Sequence, residues 1–217
     1  MASLHPDVAC GQLAARQHGC ISLGQALDRG LSPYAIRRRV ASKEWVRVLP
    51  RVYLLVPAPA TWKQRLMAAV LWLGPGAAIS GASAAALWGF PGFRAGPVEV
   101  SHPGNRPSRD GVRVHRRIQP LNAEIRIVDA LSTTAPARTL ADVAGRIPAA
   151  DLDAAVHHCL YEKLTTLASI RAVSDRHRGR GHPGAAALRN AIAAYGNNAP
   201  ASGSPLEARV LRRLIGA

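Results

Sequence analysis

Positively charged side chains are concentrated in one short stretch of this 217-residue sequence. Between Ser32 and Arg51 the only acid is Glu44, whereas six cations occupy the same stretch: Arg37, Arg38, Arg39, Lys43, Arg47 and Arg51. A guanidinium group donates paired hydrogen bonds to a phosphate or to the edge of a guanine base. The stretch therefore predicts contacts with nucleic acid, although three consecutive arginines also occur on helix faces that meet only solvent.

The residues around these cations predict two helices followed by a β-hairpin. A capped short helix is predicted over residues 22–30, and a second helix begins at Ser32 with Pro33 in its first turn. Two β-rich runs within 45–55 are separated by only three residues and predict a hairpin. With a preceding support helix over 7–18, this order is typical of a winged helix-turn-helix, whose second helix enters the major groove of DNA.

In such a domain the side chains fall into groups of predicted DNA contacts. The second helix would bring five residues to base edges and phosphates: Ser32, Tyr34, Arg37, Arg38 and Arg39. The hairpin, or wing, would hold the backbone or the minor groove through Lys43, Arg47 and Arg51. Basic residues farther along the chain would extend the phosphate contacts: Arg106, Arg109, Arg113, Arg116 and Arg117.

The composition agrees with a nucleic-acid partner. The formal net charge is +15, and 25 of the 28 basic residues are arginine, which suits planar recognition of phosphates and bases. A membrane surface is the competing polyanion, but no apolar run is long enough to span a bilayer and no signal peptide is visible. Cys10, Cys20 and Cys159 form no CxxC pair, so the sequence predicts neither disulfide nor zinc and favours a reducing cytoplasm.

The rest of the chain predicts an α+β fold, with the winged helix-turn-helix followed by a mixed α/β domain that has a small sheet and several helices. At least three strands are expected within 97–132, and helices are expected over 62–73, 81–88, 136–144, 151–161, 165–175 and 185–195. The predicted domains are residues 1–57 for DNA binding, 61–195 for the α/β domain, and 196–217 for a linker and terminal helix.

Side chains that could support catalysis form no recognisable catalytic pattern. Arg138 and Asp142 stand four residues apart on a predicted helix, which favours a structural ion pair over a functional one. His115 is predicted on the solvent face of a strand, and the adjacent His157 and His158 point to different sides of a helix. No GxSxG, GxGxxG or P-loop motif is present. The sequence therefore predicts no enzyme, no cofactor and no metal site.

The order of several segments resembles a known family. These segments are LAARQHGCISLGQALDRGLSPYAIRRRVASKEWVRVLPRVYLL, TWKQRLMAAVLWLGPGAAISGASAAALWGF, PVEV, VRVHRR and STTAPARTLADVA. Together, over roughly Leu13 to Leu188, they resemble the actinobacterial AbiEi-family antitoxins of type IV toxin–antitoxin and abortive-infection systems. No single segment is specific to that family, so the resemblance rests on their order and spacing.

The resemblance implies a repressor that binds inverted repeats in double-stranded DNA at its own promoter, followed by a domain needed for antitoxicity. The cognate toxin in such systems is similar to a nucleotidyltransferase and is neutralised without a stable complex. Many relatives continue from a helix like SPLEARVLRRL into a domain similar to the very-short-patch-repair endonucleases. The acid-rich core of that domain is absent here, and Glu207 alone cannot assemble a magnesium site.

Two alternatives follow from that last helix. The chain could be the DNA-targeting portion of a truncated endonuclease of that kind. It could instead be a protein-interaction module that uses the apolar face of residues 206–215.

Overall fold

The structure is a computed structural model that describes residues 5–116, 124–176 and 184–197, of which 196 and 197 are described by their backbone alone. Two sequence predictions lie outside these residues: the DNA contact of Arg117 and the terminal helix that contains Glu207.

The N-terminal part has the elements of a winged helix-turn-helix. They are α1 (Pro6–Arg16), β1 (Cys20–Ser22), α2 (Leu23–Asp28), α3 (Pro33–Ala41), β2 (Trp45–Leu49) and β3 (Val52–Leu55). The three strands form an antiparallel sheet in the order β1-β3-β2. The sequence predicts the helices and the hairpin but not β1, because a strand of three residues is too short to show an alternating pattern.

Local signals define the ends of these helices. The Ser22 hydroxyl accepts a hydrogen bond from the Gln25 backbone N–H, and the Gln25 side chain accepts one from the Ser22 N–H, which is a capping box. The Ser32 hydroxyl accepts from the Ala35 N–H at the start of α3. Ile21, Ile36 and Trp45 belong to the buried cluster that joins the helices to the sheet.

A second sheet follows the helix α4 (Trp62–Leu73). Its strands are β4 (Ala78–Ile79), β5 (Val98–His102), β6 (Val112–Arg116), β7 (Ile125–Val128) and β8 (Leu131–Thr134), in the order β6-β5-β4-β8-β7. Strands β5 and β6 run parallel, with Val98 opposite Val112 and His102 opposite Arg116. The sequence predicted at least three strands here but not this parallel pairing.

The other described helices are α5 (Gly81–Leu87), α6 (Pro136–Val143), α7 (Ala149–Tyr161), α8 (Leu167–Arg176) and α9 (Gly184–Asn197). Each lies within three residues of its predicted bounds. Phe90, Leu140, Leu152, Ile170 and Leu188 are at most 1% exposed and form the centre of their shared core. The fold is therefore α+β, as predicted.

The described chain divides into two compact units. Unit 1 takes the described residues of 1–79, 96–119 and 127–132, and unit 2 takes those of 80–95, 120–126 and 133–217. Helix α4 belongs to unit 1, where it packs against all three strands of the first sheet. The domain boundaries at 57 and 61 stay a prediction. Among the described residues, no helix is both long and apolar enough to cross a bilayer.

Candidate nucleic-acid interface

Helix α3 presents one continuous exposed face. Tyr34, Arg37, Arg38 and Ala41 recur at the spacing of a helical face, and all four are exposed, with Tyr34 at 69%. Ile36 lies on the opposite side and is buried in the domain core. The face therefore combines a stacking and hydrogen-bonding phenol with two guanidinium groups, the side chains that recognise base edges and phosphates.

Arg39 does not share that face, so the prediction that it lies there with Arg37 and Arg38 is wrong. Its residue is 8% exposed, its Nη2 lies 2.6 Å from Asp7 Oδ2, and its Nη1 donates to the Ala35 carbonyl oxygen at 2.9 Å. Successive helix positions differ by about 100°, so three consecutive residues cannot all point to one side. Arg39 instead ties helix α3 to the start of helix α1.

The wing carries the next cations on its exposed positions. Val46 and Arg47 in β2 are exposed, while Trp45 and Leu49 are buried. Arg51 is exposed at the hairpin turn with φ of 62°, a left-handed conformation. Lys43 has the same φ of 62° between α3 and β2. The wing side chains thus point to solvent at the turn and along one strand.

Most of these cations have no acidic partner. Within the part of the chain that the structure describes, no ion pair involves Arg37, Arg38, Lys43, Arg47 or Arg51. The single acid of the segment, Glu44, accepts a hydrogen bond of 2.8 Å from the Ser42 hydroxyl. Helix α3 and the wing therefore present uncompensated positive charge, which attracts a polyanion.

The arginines that were predicted to extend the phosphate contacts beyond the wing differ in their ion pairing. Arg106 and Arg116 are exposed, and no described acid pairs with them. Arg109 Nε lies 3.2 Å from Asp110 Oδ2, and Arg113 Nη1 lies 3.4 Å from Glu99 Oε1. The charges of these last two are partly neutralised, so Arg106 and Arg116 are better placed to contact phosphate. Arg117 is outside the described residues.

His115 is held more firmly than a surface residue of a sheet. Its Nε2 lies 3.1 Å from Glu99 Oε2, its side chain is 24% exposed, and Glu99 is 4% exposed. The sequence predicts His115 on the solvent face of β6, whereas pairing with β5 brings both His115 and Arg113 to a buried carboxylate. No local pattern in the sequence points to Glu99, because its partners lie 14 and 16 residues away.

Unit 2 contains the predicted ion pair within a larger buried group. Arg138 Nε donates to Asp142 Oδ1 at 3.0 Å, and its Nη1 donates to Glu124 Oε2 at 2.6 Å. Arg176 Nη2 also donates to Glu124, at 2.8 Å from Oε1. Burial by itself raises the pKa of Glu124, but hydrogen bonds from Arg176 and Arg138 outweigh it and hold that pKa below its ordinary value. The prediction that Arg138 and Asp142 pair is confirmed, whereas Glu124 and Arg176 were missed.

His157, His158 and the three cysteines pack inside the fold of the described chain. His157 is 5% exposed and lies beside the rings of Tyr161 and Tyr195, and His158 faces the Trp88 carbonyl oxygen. Residues 5–116, 124–176 and 184–197 contain no group of three His, Cys, Asp or Glu placed to hold a metal ion. Burial raises the pKa of the Cys20 thiol to about 12, which keeps it protonated and a poor nucleophile.

The comparisons with known proteins bear on the N-terminal segment. Residues 12–56 match a family model described as "Transcriptional regulator, AbiEi antitoxin". The chain is also similar to the RV2827C protein from Mycobacterium tuberculosis, known from a crystal structure, at 20% identity over 87% of this chain and 80% of that one, with a TM-score of 0.46. No curated protein matches the sequence.

Proposed function

We propose that this chain is a DNA-binding repressor of its own promoter and acts within a type IV toxin–antitoxin system. The match of residues 12–56 to the AbiEi family of antitoxin regulators supports its role as a DNA-binding regulator. The observation that supports this proposal best is the uncompensated positive charge on the exposed face of α3 and on the wing. The family assignment covers only that segment, so the promoter and the toxin system are parts of the proposal.

In this proposal helix α3 lies in the major groove. Arg37 and Arg38 contact guanine edges or phosphates, and Tyr34 and Ser32 lie at the N-terminal end of the helix, where base contacts of such helices concentrate. The wing places Lys43, Arg47 and Arg51 along the adjacent phosphates or in the minor groove. Arg106 and Arg116 add phosphate contacts that carry no sequence information.

Recognition of inverted repeats requires two copies of the domain. A two-fold symmetric operator presents two equivalent half-sites, so two chains bind it, as a dimer or as monomers that bind cooperatively. The regulator acts in the cytoplasm, where its promoter lies. In this proposal the α/β domain is needed to neutralise a nucleotidyltransferase-like toxin, without catalysis and without a stable complex.

A mobility-shift titration tests the DNA-binding part. The full chain is titrated on the DNA upstream of its own gene and on a scrambled fragment of equal length, at about 50 mM and about 150 mM salt. A preference for the upstream fragment that persists at the higher salt supports the repressor. Equal binding to both fragments that disappears at the higher salt would show only a generic polycation and would refute autoregulation.

A further inference from the structure

Unit 1 contains a cavity of about 270 Å³ that the proposed DNA contacts do not use. We call it the wing pocket. It is lined by Val48 and Leu49 of β2, Gln64, Arg65 and Ala68 of α4, Val98 of β5, and Asp110, Gly111 and Val112 at the start of β6. Its wall is mainly aliphatic, as in most small-molecule sites. A cavity of about 150 Å³ already accommodates benzene, so this one has room for a somewhat larger molecule.

Gln64 gives the pocket a polar group that lacks a partner. The residue is 4% exposed, yet its carboxamide makes no hydrogen bond to any other residue that the structure describes. A carboxamide has two N–H donors and one oxygen acceptor, and those of Gln64 are not among the buried atoms without a partner, so solvent reaches them through the pocket. A polar group on a bound molecule would satisfy them.

The charges near the pocket favour an anion with a single charge. Arg65 is exposed and forms no ion pair with the described acids, whereas Asp110, which also lines the pocket, has its Oδ2 3.2 Å from Arg109 Nε and is neutralised by it. One cation is therefore left over beside an aliphatic cavity. A carboxylate accepts hydrogen bonds from both a guanidinium and a carboxamide, so it matches Arg65 and Gln64 together.

We propose that the wing pocket binds a small aliphatic monocarboxylate of roughly six carbons, with its chain against the aliphatic wall and its carboxylate between Gln64 and Arg65. Val48 and Leu49 belong to the wing strand, so a bound molecule contacts the element that carries Arg47. Binding therefore shifts the affinity of the protein for DNA, and this second part rests on the proposed function.

Calorimetric titration of the full chain with butanoate, hexanoate and octanoate at neutral pH, in the absence of DNA, tests the pocket directly. We expect saturable binding with one molecule per chain. The affinity should rise about fourfold for each methylene from butanoate to hexanoate, because each added methylene is buried. Hexan-1-ol, which lacks the charge, should bind about tenfold more weakly. No saturable binding, or equal binding of alcohol and acid, would overturn the proposal.

Two variants test whether hexanoate binds in the wing pocket. Arg65→Gln removes the cation from an exposed position, where folding is tolerant of change, and should weaken hexanoate binding about tenfold. Ala68→Leu fills the cavity and should abolish binding. Arg171→Gln removes an exposed arginine of unit 2 and is the matched control, which should bind as the natural protein does. Unchanged binding by Arg65→Gln would refute the assigned position.

The link to DNA is measured separately. Saturating hexanoate should change the affinity for the upstream DNA about fivefold or more, since coupling between sites is typically of that size and is reciprocal. An unchanged DNA affinity would refute the regulatory part alone. Hexanoate binding without specific DNA binding would refute the proposed function but not the pocket, and specific DNA binding without hexanoate binding would refute only the pocket.

Discussion

Two neighbouring arginines of helix α3 have opposite surroundings. Arg38 points to solvent, whereas Arg39 is 8% exposed and bound to Asp7. They differ because one helical step turns the side chain by about 100°. One is therefore available to DNA and the other stabilises the domain, so substitutions at the two positions should affect different measurements.

Replacing Arg38 by alanine should lower DNA affinity and leave stability unchanged. The lost contact is expected to cost about 1–3 kcal/mol if it meets a base, or to reduce the slope of log affinity against log salt by about one if it meets a phosphate. Fluorescence anisotropy at several salt concentrations measures both quantities. Arg171→Ala is the control, and an Arg38→Ala protein with unchanged affinity and slope would remove this residue from the interface.

Replacing Arg39 by methionine should lower stability and leave DNA affinity unchanged. The aliphatic part of the side chain is kept, while the ion pair with Asp7 and the hydrogen bond to Ala35 are lost. The free energy of unfolding should fall by about 1 kcal/mol, a modest loss because Asp7 is partly exposed. Chemical denaturation measures this loss. A reduced salt slope with unchanged stability would instead make Arg39 a DNA contact.

At the scale of elements, the turn of the wing places two demands on Arg51. Its backbone must adopt a left-handed conformation, and in our proposal its charge contacts DNA. The hairpin is held by β1 on one side of β3 and by contact of the Trp45 and Tyr53 rings, whose centroids are 5.7 Å apart. Arg51 adopts a left-handed conformation that asparagine tolerates better than most residues. The backbone of the turn therefore does not depend on arginine, which leaves charge as the reason for its presence in our proposal.

The substitution Arg51→Asn should separate the backbone conformation of the turn from the positive charge that binds DNA. The melting temperature should stay the same or rise slightly, because asparagine suits the backbone, while the salt slope of DNA binding should fall by about one. Thermal unfolding and anisotropy titrations test this. Arg51→Lys keeps the charge and should keep the slope, and an unchanged slope in Arg51→Asn would show that this turn does not touch phosphate.

At the scale of the whole molecule, unit 2 depends on charges brought together from distant parts of the chain. Glu124 lies before strand β7, Arg138 in α6 and Arg176 at the end of α8, and Glu124 and Arg138 are both at most 4% exposed. Removing one partner from such a buried group leaves the others unsatisfied, which is more harmful than losing a surface pair.

Replacing Glu124 by glutamine should therefore destabilise the protein by about 3 kcal/mol at neutral pH. Urea denaturation measures the change, and the exposed Glu162→Gln should remain within about 0.5 kcal/mol of the natural protein. The folded state lowers the pKa of Glu124 from its ordinary value of 4.5. Its contribution is present above that value and is lost as the pH falls through the lowered pKa.

The difference between the natural protein and Glu124→Gln should thus shrink as the pH drops below about 4.5. A difference that stays constant between neutral and acidic pH would show that the carboxylate charge does not contribute. A variant as stable as the natural protein at neutral pH would show that the buried group is not needed for folding.

Much of the chain was predictable because its signals are local. Serine caps, glycine stops and apolar spacing depend on residues three or four positions apart, so they are visible in the sequence alone. Helix α4 has the predicted bounds of 62–73, and the hairpin and both helices of the recognition motif were also predicted. The exposed face of α3 can also be read from the sequence, because steps of three and four residues from Tyr34 lead to Arg37, Arg38 and Ala41.

Only the tertiary structure decided which charged residues are buried and which remain available. Arg39 is buried because Asp7, 32 residues earlier, lies beside it, and Glu124 meets Arg176 across 52 residues. The parallel pairing of β5 with β6 and the wing pocket likewise join separate segments. Such contacts depend on how the chain closes over long distances, and no local pattern records that closure.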